Sequence, residues 1–338
     1  MGVKQRLLEV AYRGGLFDVF HRAAGKRRLT VLAYQRIDDP HAPGFDTFKP
    51  NVSATPEAFA AQMDFIRRRF HVVYDQQVVG WLRGTDSLPP CPLLITFDDG
   101  YRDSLVNALP ILRERGLPAV VFLATDYIGS DVPFNWDLAA YCFHHTAQSE
   151  ADLPALGHQS WSSEEEREAV MNRLLALLKT LPDAESRAAY QALPRTLGVG
   201  VPDNAFAGLH LSWDEVREMT LAGVAMGAHT ESHPILTRVS PDRVQAEIAG
   251  SKARIEDELG RPITTFAYPN GTPEDFNPEV EESVYRAGFE AAYTMVPGPA
   301  RFDEAWANPL AIRRVFVSHQ DTMSHFAAKV IGLARYFS

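Results

Sequence analysis

From Leu29 onward the chain alternates short apolar runs with helix-patterned segments, and that alternation leaves few folds open. The runs are Leu29–Tyr34, Leu93–Phe97, Ala119–Ala124, Val224–Ala228, Thr264–Tyr268, Glu290–Val296 and Ile312–Val317. Each suits a buried strand and is too short for a helix of ordinary length. Helix signals fill the intervals. Thr55 caps a helix with Pro56 at its first position, running to about Arg69. A second spans about Asp103 to Arg115 and stops at Gly116. Ser212 and Glu215 make a capping box for Trp213–Ala222, Ser240 and Pro241 open a helix to Leu259, and Pro278–Ala287 stops at Gly288. Repeated strand–helix alternation argues an α/β protein with a parallel sheet, closed into a barrel.

Two of the runs end in residues that carry chemistry. Leu93–Phe97 breaks into Asp98, Asp99 and Gly100, and Val224–Ala228 runs into His229 and His233 within HTESHP. An isolated Asp-Asp-Gly is usually a turn, and an isolated histidine pair often packs or caps. Both together, at the carboxyl ends of strands where barrel sites form, describe a hydrolytic metal site. Adjacent carboxylates point different ways, so one can bind metal while the other takes a proton. Asp99, His229 and His233 are the expected ligands, provided Thr230–Ser232 coils. A divalent ion is expected, zinc foremost, with positions left for water and substrate. Asp98 is the expected general base. His319, directly after the last strand, and His325 are the late-chain candidates for the acid.

Composition narrows the partners. With 338 residues and 46 % hydrophobic, the chain can build one large barrel or two modest domains. Its net charge of −10 excludes a field for nucleic acid. No apolar stretch is long enough to span a membrane, and the start has no apolar core with a small-residue cleavage site. Cys91 and Cys142 lack CxxC spacing, as in a reducing compartment. The expectation is a cytoplasmic protein. Residues 1–28 form a basic arm, with Lys4, Arg6, Arg13, Arg22, Lys26, Arg27 and Arg28 interleaved with apolar residues. That pattern suits a helix docked on the barrel or, alternatively, a peripheral contact with the inner membrane face. The barrel takes 29–338. Within it, about 135–211 breaks the alternation and reads as a helical insertion that covers or flanks the site. A separate helical domain is the competing reading. Composition says nothing of oligomeric state.

TFDDGY followed by HTESHP resembles the signature of the polysaccharide deacetylases, carbohydrate esterase family 4, with its NodB-like homology domain. The resemblance covers about Leu29–Val317, and Leu29–Pro40 looks like the start of the exopolysaccharide-associated branch. It implies a distorted (β/α)7-8 barrel and removal of N-acetyl groups from an amino sugar in a polysaccharide or lipid-linked saccharide. It implies Asp98 as base and Asp99, His229 and His233 as ligands. Tyr101, Tyr268, Pro269, Asn270 and Gly271 stand at its substrate-facing positions.

Departures from the pattern matter. FAYPNG puts Ala267 where the family carries an arginine and Asn270 where it carries a tyrosine. A backbone N–H could still serve an oxyanion there. The lost arginine would orient the base, and Arg314, in preference to Arg313, resembles the one that substitutes from the last strand. It is expected to reach Asp98. His319 matches the family's apolar-x-His motif loosely, and Trp136 with Asp137 could stand in for its Asp-plus-Trp motif. Gln35 follows Tyr34 where the branch often has histidine. An O-acetyl esterase or another amide hydrolase would use the same residues. A non-catalytic saccharide-binding barrel would be marked by loss of one of them, and Asp98, Asp99, His229 and His233 are all present.

Overall fold

Seven parallel strands close into a barrel in the computed structural model, which describes residues 3–15, 17 and 27–333. They are β1 (Arg28–Tyr34), β2 (Pro92–Phe97), β3 (Val120–Leu123), β4 (Ala225–Ala228), β5 (Thr265–Ala267), β6 (Ala291–Pro297) and β7 (Ile312–Phe316). Around the barrel they follow chain order, and closure comes from β1, which pairs with β2 from Thr30↔Leu93 to Tyr34↔Phe97 and with β7 at Leu32↔Val315. The expected seven or eight strands are therefore seven. The barrel is irregular: β4 and β5 share one registered pair, Phe266↔Ala228, and the register shifts between β6 and β7.

Buried on both faces, the strands sort their side chains by alternation. Tyr34, Ile95, Phe97, Val121, Leu123 and Phe266 pack outward against the helices. Val31, Leu94, Phe122, Ala267, Tyr293 and Ile312 fill the interior. Phe122 owes its place to Gly227, where an added Cβ would come within 2.4 Å of the ring. Asp98 continues the inward phase of Leu94 and Thr96, His229 that of Ala225 and Gly227, and Arg314 that of Ile312. The period-two pattern of the strands thus aims the chemistry at the barrel mouth.

Three short elements were not legible beforehand. His71–Val72 extends the sheet beside β2, and Ala300–Arg301 runs antiparallel to the start of β1. A helix at Asp75–Leu82 closes the amino-terminal end, with Val78, Val79 and Trp81 against the interior residues. Its Asp75 is buried, accepting from Thr265 Oγ1 at 2.9 Å and Tyr293 Oη at 3.2 Å. Burial raises its pKa from 3.8 to about 6, against the pull of those two hydrogen bonds. The native state therefore binds this proton more tightly than the unfolded chain. Ionisation opposes folding as pH rises from about 4 to 6, reaching on the order of 3 kcal/mol above that window. Urea midpoints of Asp75→Asn should accordingly gain on those of the natural chain as pH rises through that range. Parallel pH profiles would contradict this account of the buried carboxylate.

The expected helix from Asp103 begins as a π-helical turn, Ser104–Ala108, before regular helix Leu109–Arg115. The 135–211 interval contains helices Asn135–His145, Glu164–Leu178 and Asp183–Thr196, with their own buried cluster around Phe143, Leu174 and Leu193. A β-hairpin, Glu150–Leu153 with Gly157–Ser160, interrupts them, so the segment is not wholly helical. Of the basic arm, Val3–Arg13 is a helix whose Leu8 is buried and whose Tyr12 ring lies 6.2 Å from that of Phe65. Arg22 and Lys26 lie outside the described residues. Among those described, no helix is long and apolar enough to cross a membrane.

Candidate metal centre and its cleft

Asp99, His229 and His233 converge at the carboxyl end of the barrel, their potential ligand atoms all within 4.8 Å of one another. Both imidazole Nε2 atoms stand 3.4 Å from Asp99 Oδ1. That is long for a hydrogen bond, and Asp99 Oδ1 is a buried oxygen without a hydrogen-bond partner. Buried polar atoms are normally satisfied. An unsatisfied buried oxygen with two imidazole nitrogens turned on it fits a divalent cation. The donor set is one zinc favours.

The backbone builds this convergence at some cost. Of the non-glycine residues with positive φ among those described, Asp99, Thr230, His233 and Asn270 all border the site. Such conformations cost about 1–3 kcal/mol each and persist where surroundings enforce them. Glu247, on helix Pro241–Leu259, supplies much of the enforcement: its Oε2 accepts from the backbone N–H of Glu231 at 3.0 Å and of Ser232 at 2.7 Å. Thr230 Oγ1 accepts from His233 N at 3.0 Å. Thr230–Ser232 coils as the ligand spacing requires.

Two of the three candidate ligands are held by hydrogen bonds, while His233 Nδ1 is buried without a hydrogen-bond partner. His229 Nδ1 lies 2.7 Å from the carbonyl oxygen of Ala267. A carbonyl only accepts, so Nδ1 carries the proton and the Nε2 lone pair faces Asp99. Gln35 Nε2 donates to Asp99 Oδ2 at 3.1 Å, leaving Oδ1 to the shared point. Burial works against the charge on Asp99, but the two imidazoles, His229 foremost, and the Gln35 hydrogen bond outweigh it, and its pKa falls below the usual value. His233 is pushed down to about 4, by burial and then by His229, and is neutral as a ligand must be.

Asp98 stands beside this group with a different partner. Arg314 Nη1 and Nη2 donate to Asp98 Oδ1 and Oδ2, both at 2.7 Å. The guanidinium also donates to Thr294 O at 3.1 Å and Thr96 Oγ1 at 3.2 Å. Arg314 is fully buried. The contact expected from the last strand is present, while Arg313 points elsewhere, near Glu304 and Pro297 O.

The structure does not bring every expected residue here. His319 is absent from the residues lining the cleft: beyond β7 the backbone follows the Val52–Ala54 segment, and both His319 N and Nδ1 engage Val52 O. His325 pairs with Asp321. Tyr101 and Tyr268 are fully buried, their hydroxyls donating to Asp137 Oδ2 at 2.6 Å and Leu310 O at 2.8 Å, so neither side chain faces substrate. Tyr101 instead accepts from Trp136 Nε1 at 2.8 Å and steadies that indole, whose ring stands 5.0 Å from His233, nearly perpendicular. Asp137 is pushed up to about 6 by burial and accepts from Phe48 N at 3.0 Å. Pro269 is buried, the following Asn270 lines the cleft, and Gly271 packs so closely that a Cβ would meet Met295 N at 2.9 Å.

A cleft of about 570 Å³ opens over Asp98, His229 and His233. Sequence reasoning missed most of its wall: Phe48, Asn51, Asn172, Lys179 and Tyr190. Three of these come from the 135–211 interval, which therefore flanks the metal group directly.

Residues 86–292, more than half of the chain, match the profile of the polysaccharide deacetylases. YxkH of Bacillus subtilis strain 168, named for the same family, is 23% identical over 238 residues, covering 70% of this chain. The chain spans 56% of that relative's length. Among solved structures, the Streptococcus pyogenes deacetylase PplD, in complex with acetate, has a similar fold: TM-score 0.59, 16% identity, 90% of this chain and 98% of that one. IcaB from Ammonifex degensii gives a TM-score of 0.56 at 20% identity, covering 91% of this chain and 97% of its own. At those identities the likeness is one of fold, whereas the profile match and the motifs within it establish descent: the chain belongs to the polysaccharide deacetylase family.

Proposed function

We propose that this protein is a metal-dependent N-deacetylase acting on an acetylated amino sugar of a polysaccharide or lipid-linked saccharide. The observation that carries the reading is the pairing of two unlike carboxylates: Asp99 turned on two histidines, and Asp98 clamped by Arg314 at the same mouth. Asp99, His229 and His233 would hold the ion, which supplies Lewis acidity and lowers the pKa of a bound water. Family membership and the acetate held by PplD support acetyl-group chemistry.

The chain's own residues divide the remaining work. Each Asp98 oxygen accepts one hydrogen bond from Arg314 and keeps a lone pair, so the carboxylate can take a proton from the attacking water. It is the carboxyl group among the described cleft-lining residues, and we assign it the return of that proton to the departing nitrogen. Rings and carboxamides on the walls, Phe48, Trp136, Asn51 and Asn172 among them, suit a sugar. Gln35→Ala should weaken zinc binding about 10–100-fold, the usual cost of losing a partner of a metal ligand. Competition against a chromophoric chelator reads it, and unchanged affinity would remove Gln35 from the site. Acetate release from paired N-acetyl and O-acetyl oligosaccharides, with zinc and after chelation, tests the whole reading. Release from the amide substrate only with metal present is expected. Release confined to the ester would replace it with an O-acetyl esterase.

A further inference from the structure

Lys179 follows the helix Glu164–Leu178 and lines the cleft together with Asp98, His229 and His233. It also lines an adjoining groove that runs past His233 and Pro234 to Arg238. Among the described residues neither cation has an ion-pair partner. The groove's own carboxylate, Asp183, is already taken by Arg187 at 3.1 Å and Arg243 at 2.7 Å. Asp98 is taken by Arg314. A lysine after a helix is favoured by the helix dipole, which accounts for the residue type but not for its place in the cleft. The side chain reaches the water of the cleft, while protein crowds the ammonium on its other sides and draws its pKa down.

Asp275 and Asp99 lie near enough to favour this ammonium's charge, yet neither pairs with it. A divalent ion on Asp99 and the histidines would repel it, and a neutral acetamido sugar offers it no charge. The overall charge of −10 also means that anions are not drawn here by the protein's general field. Two unpaired cations along one groove call for an anion within the ligand. Resting on the deacetylase reading for the identity of the cleft, we propose that Lys179, with Arg238 beyond it, recognises a negative group on the glycan, a phosphate or a carboxylate, adjacent to the acetamido sugar. The substrate class then narrows from acetylated glycans to anionic ones, and the 135–211 segment is the source of that selectivity.

Calorimetric titration of the zinc-loaded full chain tests this without relying on turnover. The probes are N-acetylglucosamine 1-phosphate, N-acetylmuramic acid and the uncharged methyl N-acetylglucosaminide. One or both charged sugars should bind at least about tenfold more tightly than the neutral one, the scale of a charge-assisted contact. Lys179→Met should collapse that ratio toward one, and Lys179→Arg should keep it. Comparing the two charged probes identifies the anion. Equal affinities in the natural chain, no measurable binding of either charged sugar, or a ratio that survives Lys179→Met overturns the proposal. Acetate measured in the same samples separates the two readings. Charge preference without acetate release upholds anion recognition and removes the hydrolase. Acetate release without charge preference does the reverse.

Discussion

Asp98→Asn should lower the rate of acetate release by roughly 10²–10⁴ while bound zinc stays at the level of the natural chain. The amide keeps the shape of the carboxylate and loses the capacity to take a proton. The metal is untouched because the convergent oxygen belongs to Asp99, 3.4 Å from both imidazoles, whereas both oxygens of Asp98 face Arg314. Asp99→Asn should show the opposite pattern, losing zinc first and activity in consequence. Metal analysis beside initial rates distinguishes the two. If Asp98→Asn sheds the metal and Asp99→Asn retains it, the roles of these neighbours are reversed.

Arg314→Met should cost both activity and about 3–5 kcal/mol of stability, the range for stripping one partner from a buried ion pair. Arg314 is fully buried and Asp98 is buried too, so removing the guanidinium leaves the carboxylate without its ion-pair partner. Arg314→Lys should also lose activity, since a point charge cannot meet two oxygens at 2.7 Å with a planar fork. Adding Asp98→Asn to Arg314→Met should restore part of the stability by removing the stranded charge. Denaturant unfolding of the two single variants and the double gives the coupling directly. Additive losses would mean that the pair is packing rather than electrostatics.

The barrel was legible because parallel strands buried on both faces read as unbroken apolar runs, and because Ser212, Ser240 and Gly116 mark helix ends in the sequence. The candidate metal group was legible because its residues lie at or just beyond the ends of those strands. Illegible parts share a cause: tertiary contacts, not local pattern, define them. Helix Asp75–Leu82 is capped through Tyr74 and Gln77 rather than by a serine or threonine, and the hairpin strand Gly157–Ser160 is polar and largely exposed. Tyr101 was expected at the substrate from the family resemblance. Positive φ at Asp99 and Gly100 instead turns the chain to pair with the His210 segment, and that turn carries the ring to Trp136 and Asp137. His319 failed to reach the cleft for a comparable reason, a backbone bond to Val52 that no spacing announces. Lys179, which no local pattern singles out, reaches the cleft through the packing of the segment that carries it.

The central claim, that Asp99, His229 and His233 hold a metal, is tested most directly by the zinc content of the purified natural chain beside His229→Ala and His233→Ala. The account predicts about one ion per natural chain and loss of most of it in each variant, with circular dichroism unchanged. Full retention of zinc in both variants would contradict it.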